Sequence, residues 1–169
     1  MNVRLMLRIA VCGIFLFATP LMTKSHAAES GEFKGTWIAN GTRTLFTFGV
    51  GRQVYTFKIG GHVSLKTTLH NKKDYWSECV GLSDSVTGVT GRCVWKDLAG
   101  PEIYLTLQSS NLQQGGQVTS TIVGGSGPLA GISGDLSFNW SSVIFQRDAE
   151  GIENVSGQAL NLSGRYQVP

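Results

Sequence analysis

Gly124-Gly125-Ser126-Gly127-Pro128-Leu129-Ala130-Gly131-Ile132-Ser133-Gly134 places five glycines and one proline in eleven residues. Such a stretch is neither a helix nor a central strand, because glycine and proline weaken both. Leu129 and Ile132 stand among the glycines, as expected of a connection that lies down on a core. Gln117–Val123 before it and Asp135–Phe145 after it alternate like strands. The stretch therefore reads as a fixed, glycine-shaped corner in an all-β protein, with Gly124, Gly125, Gly127, Gly131 and Gly134 as its structural positions.

The pattern continues outward in both directions. Lys34–Ala39 reads as a short strand, and Asn40-Gly41 after it is a strong two-residue hairpin signal. Arg43–Phe48 and Gln53–Ile59 follow, the latter with Tyr55, Phe57 and Ile59 on one face. Gly60-Gly61 reads as another turn before His62–Leu69, where Val63, Leu65, Thr67 and Leu69 share a face. Tyr75–Leu82, Gly91–Trp95 and Glu102–Ser109 come next, the last with Ile103, Leu105 and Leu107 aligned. In Asp135–Phe145 the aligned residues are Leu136, Phe138 and Trp140; in Val155–Val168 they are Leu160, Leu162, Tyr166 and Val168. No apolar stripe of period 3.6 follows a helix-start signal. Eight to ten short strands separated by turn residues predict a sandwich or a barrel. Closure removes the exposed edges that a long meander leaves, so the expected fold is an antiparallel closed barrel of about eight strands.

The N-terminus reads as an address. Arg4 and Arg8 precede a 13-residue apolar run, Ile9–Leu21, and Ser25-His26-Ala27-Ala28 offers small residues for cleavage. This fits a secretory signal peptide over residues 1–28, the run being short for a membrane span. The expected mature chain, residues 29–169, is one barrel domain in the periplasm or outside the cell, with no membrane span left after cleavage. Three of the 14 basic residues leave with the signal, and the remaining 11 balance 11 acidic ones. A chain with no net charge and no basic patch has no electrostatic footprint for nucleic acid or an anionic membrane. Cys79 and Cys93 remain, and an even count in an exported chain favours a disulfide. Their spacing fits no zinc pattern. The loop they close would be worth roughly 3 kcal/mol by chain entropy, and Gly81–Gly88 inside it reads as a long hairpin loop.

Three stretches read together resemble a known group: Glu78–Asp84, Gly91–Asp97 with Glu102-Ile103-Tyr104, and above all Gly124–Gly134. The last is similar to the glycine motif of the allene oxide cyclase-like and dirigent-like barrels. Ser126 stands where that family often has threonine, and Leu129 where it often has an aromatic. The resemblance covers residues 45–168 and is nearest to small exported bacterial proteins. It implies an eight-stranded antiparallel barrel whose interior can hold a small apolar ligand, and subunits that often form dimers or trimers. It carries no chemistry across, since no position matches the family's catalytic residues one by one. A competing resemblance is to lipocalin-type barrels, through Gly35-Thr36-Trp37 and an Arg165 placed to stack on that tryptophan.

Trp76, Trp95, Tyr104 and Trp140 lie on expected strands and are the candidate ligand-binding set, an aromatic lining for a lumen pocket. Core filling is the competing reading, because eight-stranded barrels are narrow. Glu78 is the one carboxylate singled out as a candidate acid or base, should it point into an apolar lumen. His62 and His70 stand too far apart on a strand to share a metal. No nucleophile–base motif or phosphate loop is present. The expectation is thus a non-enzymatic binder of a small apolar or aromatic molecule, without cofactor or metal. The alternatives are an isomerase or cyclase using Glu78, and a solid barrel that binds a partner or a second copy of itself.

Overall fold

The computed structural model describes residues 28–67, 72–110 and 115–169. The expected signal peptide lies outside the described residues except for its last position, as do His70 and Leu69. Eight antiparallel strands follow one another around a closed barrel: β1 (Glu29–Phe48), β2 (Arg52–Thr67), β3 (Lys73–Asp84), β4 (Gly88–Asp97), β5 (Glu102–Ser109), β6 (Gly116–Gly125), β7 (Ser133–Arg147) and β8 (Ile152–Val168). The expected fold class holds.

Two hairpin signals are overridden. Asn40-Gly41 does not turn, nor does Gly60-Gly61; each lies in the middle of one long strand, β1 or β2. The reason is close approach. Gly41 pairs with Ile59 and Gly61 with Ala39. A Cβ on Gly61 would stand 2.0 Å from the carbonyl oxygen of Ile38, and one on Gly41 equally close to that of Lys58. Glycine here lets two strands coil tightly on the barrel's concave side. The expected Gly81–Gly88 loop is also shorter than read: β3 runs to Asp84 and β4 starts at Gly88. Cys79 and Cys93 then face each other directly across β3 and β4, with Cα atoms 4.1 Å apart, and form the disulfide.

Odd-numbered residues of β1 to β5 point inward, as do even-numbered residues of β6 and β7. The parity of β8 changes midway. Asn161 adopts a left-handed φ of 56°, and the register slips there against both β1 and β7. The bulge turns Leu160 outward and Leu162 into the core, so the four residues expected on one face of this strand are divided.

The glycine stretch joins β6 to β7. A short 3-10 turn, Gly127–Leu129, fills its centre, and Gly127 and Gly131 take left-handed φ values of 58° and 79°. Ile132 is buried and Leu129 packs on the core. The corner lies down on the barrel as its two apolar side chains predict.

The barrel's waist is solid. Val63, Cys79, Leu105 and Leu162 are almost wholly buried there, and Trp37 is 1% exposed. The Trp37 Nε1–H donates to Ser77 Oγ at 2.7 Å, and that hydroxyl donates to the Gly61 carbonyl at 3.0 Å. Burying an indole and a hydroxyl is favourable only with such partners.

Because an added methyl at Gly61 meets fixed backbone, Gly61→Ala is expected to lower unfolding stability by about 2 kcal/mol, the usual scale of overpacking. Urea denaturation would measure it; a midpoint unchanged from the native chain contradicts the close-approach account.

Candidate functional site

The solid waist divides the lumen into two cups. The hairpins β1–β2, β3–β4 and β7–β8 turn at one end; both termini of the barrel and the glycine corner lie at the other. We call these the arginine end and the tyrosine end.

The arginine cup encloses a cavity of about 130 Å³. Its apolar wall is aromatic: Trp37, Tyr55, Phe57, Phe138 and Trp140 border it. Trp37 packs edge-on to Phe138 at 5.5 Å and tilted against Trp140 at 5.0 Å. The position of Trp140 depends on Gly157, because any Cβ there would come within 2.2 Å of the indole ring.

Strand length shapes the mouth. Among the described residues, β6 pairs with β7 as far as Trp140, whereas β7 continues to Arg147 against β8, and β8 against β1. One side of the barrel therefore stands taller. On it, Arg147, Glu153 and Arg43 sit side by side on β7, β8 and β1, each directly opposite its neighbour. Glu153 is 0% exposed and ion-paired to both arginines. The Arg43 guanidinium also lies over the Tyr55 ring, 4.2 Å from its centroid. A carboxylate buried this deeply is tolerable only with charges packed against it. A second pair fastens the start of β2 to the β3–β4 turn: Arg52 donates to both carboxylate oxygens of Asp84, which also accepts from the Val86 amide at 2.8 Å. The Arg52 hydrogen bond holds the Asp84 carboxyl well below the usual carboxylate range.

The tyrosine cup is larger, about 660 Å³, and opens beneath the glycine corner. Tyr75, Trp95 and Tyr166 border it with Leu129 and Ile132. Burial, and then the charge of Asp97, pushes the Tyr75 hydroxyl up to about 12. Tyr166 is pushed to about 12 by burial and by donating to Glu29 at 2.9 Å. Both phenols are therefore neutral donors at physiological pH. The Trp95 indole N–H is buried without an acceptor among the described residues.

The four candidate aromatics are not brought together. Trp140 borders the arginine cup and Trp95, 2% exposed, the tyrosine cup. Trp76, 51% exposed, and Tyr104 lie on the outer wall, where the Tyr104 hydroxyl donates to Glu102 at 2.9 Å. Glu78 shares that outer face. Its side chain is 52% exposed and ion-paired to Lys96 at 2.9 Å, so it is not a lumen carboxylate. The parity of β3 explains this: Tyr75, Ser77 and Cys79 take the inward positions. His62 is also outward, 3.2 Å from Asp74. Arg165 is exposed and faces Asp135, away from Trp37, so the lipocalin-type stacking is absent. Sequence reading gave Arg43 and Glu153 no role, and placed Trp37 only in a lipocalin-type motif and Phe138 only on a strand face. The signal was present in part: Trp37, Ala39, Gly41 and Arg43 alternate along one face, as do Glu153, Val155, Gly157 and Ala159.

No family model matches this chain, and no curated protein or solved structure matches it at a significant level.

Two predictions follow from these geometries. Glu153→Gln leaves two arginines without their shared partner and is expected to destabilise the fold by about 3 kcal/mol, the scale for breaking a buried ion pair; chemical denaturation reads it. On the alkaline side, phenols whose folded values are raised contribute stability that is full below their ordinary value near 10 and is lost as pH climbs toward 12. The tyrosinate ultraviolet band is therefore expected to show a late component near pH 12 that disappears in Tyr75→Phe/Tyr166→Phe.

Proposed function

We propose that this chain is an exported barrel of the allene oxide cyclase-like or dirigent-like kind that holds one small apolar or aromatic molecule in its arginine cup, without transforming it. The observation that carries this reading is the aromatic cavity of about 130 Å³ between Trp37, Phe138 and Trp140. A dry apolar cavity of about 150 Å³ accepts a benzene molecule, which sets the size of the guest at one ring. Aromatic walls favour an aromatic guest, through edge and offset contacts.

The kinship is supported by eight strands in meander order and by the glycine corner between β6 and β7. Export is supported by the disulfide, since such bonds persist in oxidising compartments. A cyclase role for Glu78 has no support in a solvated, ion-paired side chain. Glu153, the carboxylate near the cup, is clamped between two guanidinium groups, an arrangement suited to anchoring.

A second reading has its own observation. Trp76, Val80 and Val123 are large, apolar, more than half exposed and border one depression of the outer wall. Such a patch suits contact with another protein, including a second copy of this chain.

Iodobenzene, a one-ring guest with a quenching heavy atom, tests the first reading. Saturable quenching of tryptophan fluorescence is expected in the native protein, with loss of saturation in Val118→Phe, which fills the cavity from β6. Linear, unsaturable quenching that is the same in both proteins would exclude a guest in the cup.

A further inference from the structure

We infer that the guest of the arginine cup is a small aromatic carboxylate whose anionic group is received by Arg43; this rests on the cup being a binding site. Four observations converge on that side chain. Arg43 borders the cavity together with the aromatic wall. Its Nε–H donates to Glu153, and its guanidinium plane lies over Tyr55, so the group is held from two directions. A guanidinium has five N–H donors, and the bond to Glu153 uses one. The other four have no protein acceptor among the described residues. Among themselves, Arg43, Arg147 and Glu153 carry one surplus positive charge beside the cavity.

An arginine fixed through its Nε edge presents its two terminal nitrogens as a fork, which matches the two oxygens of a carboxylate. Prior fixation lowers the ordering cost of binding. The half-buried setting of Arg43 makes the pairing stronger than at an open surface. Ser83, buried at the same cavity, adds a hydroxyl near the mouth. Cavity size sets the rest of the guest. About 130 Å³ admits one ring with a short substituent and excludes a long acyl chain. A purely apolar guest would leave the Arg43 fork without a partner.

Calorimetric titration of the mature protein at neutral pH with sodium benzoate and with benzyl alcohol tests the inference. The two probes share a ring and differ in charge. Benzoate is expected to bind about tenfold tighter or more, the advantage of a charge-assisted, two-point contact. In Arg43→Gln the ratio between the two probes is expected to collapse to about one. If Arg43→Gln does not fold, Arg43→Gln/Glu153→Gln, which buries no unmatched carboxylate, gives the same measurement. Equal binding of both probes to the native protein, or a benzoate preference that survives loss of the guanidinium, overturns the inference and leaves the cup as a site for neutral rings. Binding of neither probe overturns the inference and the cavity reading together.

Discussion

The pairing of the first strand with the last is the constraint on which everything else rests. β1 and β8 hydrogen-bond from Glu29 opposite Val168 to Thr44 opposite Ile152. Without that seam, the meander is a curved sheet with two unpaired edges and an exposed apolar face. With it, every strand has two neighbours and the inward faces become a core. The seam also places Arg43 beside Glu153, residues far apart in the chain. It is slow to form in principle, because the most distant segments must meet before either gains its partner.

Rolling eight strands into a tube makes the concave side crowded, and the structure relieves this where strands bend most. Gly41 and Gly61 remove side chains where backbones nearly touch, and Gly157 clears the space that Trp140 occupies. Between these bends, larger residues fill the waist. Trp37 is central: it closes the floor of the arginine cup, touches Phe138 and Trp140, and hydrogen-bonds to Ser77. The result is a tube blocked in the middle and hollow at both ends.

The two ends differ in their electrostatics. At the tyrosine end, charges pair near the rim, Lys73 with Asp97, and the cup offers neutral phenols. At the arginine end, a buried glutamate lies between two arginines on the taller wall. Buried ion pairs add little net stability against apolar substitutes, yet they penalise any slip that would separate them. The row Arg147–Glu153–Arg43 therefore acts on register: moving β8 by one residue would turn Glu153 to the outside and leave both arginines without it. The same row sets two arginines and a fully buried carboxylate beside the smaller cavity, where the larger has the Lys73–Asp97 pair and its phenols.

Much of this was legible in order of residues alone. Alternation in Ile103–Leu107 and Leu136–Trp140 grouped side chains that the structure keeps on one face, and the pair of cysteines beyond the expected signal peptide announced their bond. Leu129 and Ile132 marked the glycine corner as a packed one. Alternation, however, has no sign. It tells which side chains share a face and not whether that face is inside; Trp76 and Glu78 were grouped correctly, and closure puts their face on the outside. Local signals also failed where a distant partner set the conformation: Asn40-Gly41 and Gly60-Gly61 stay extended because β1 and β2 grip each other across them, and Asn161 bulges to satisfy β1 and β7 at once. The chain by itself determined most of its strands, its corner and its cysteine pair, because those depend chiefly on neighbours in sequence. Only closure decided the direction of each face, the register of the seam and the meeting of Arg43 with Glu153, because those depend on hydrogen bonds between residues that sequence keeps apart.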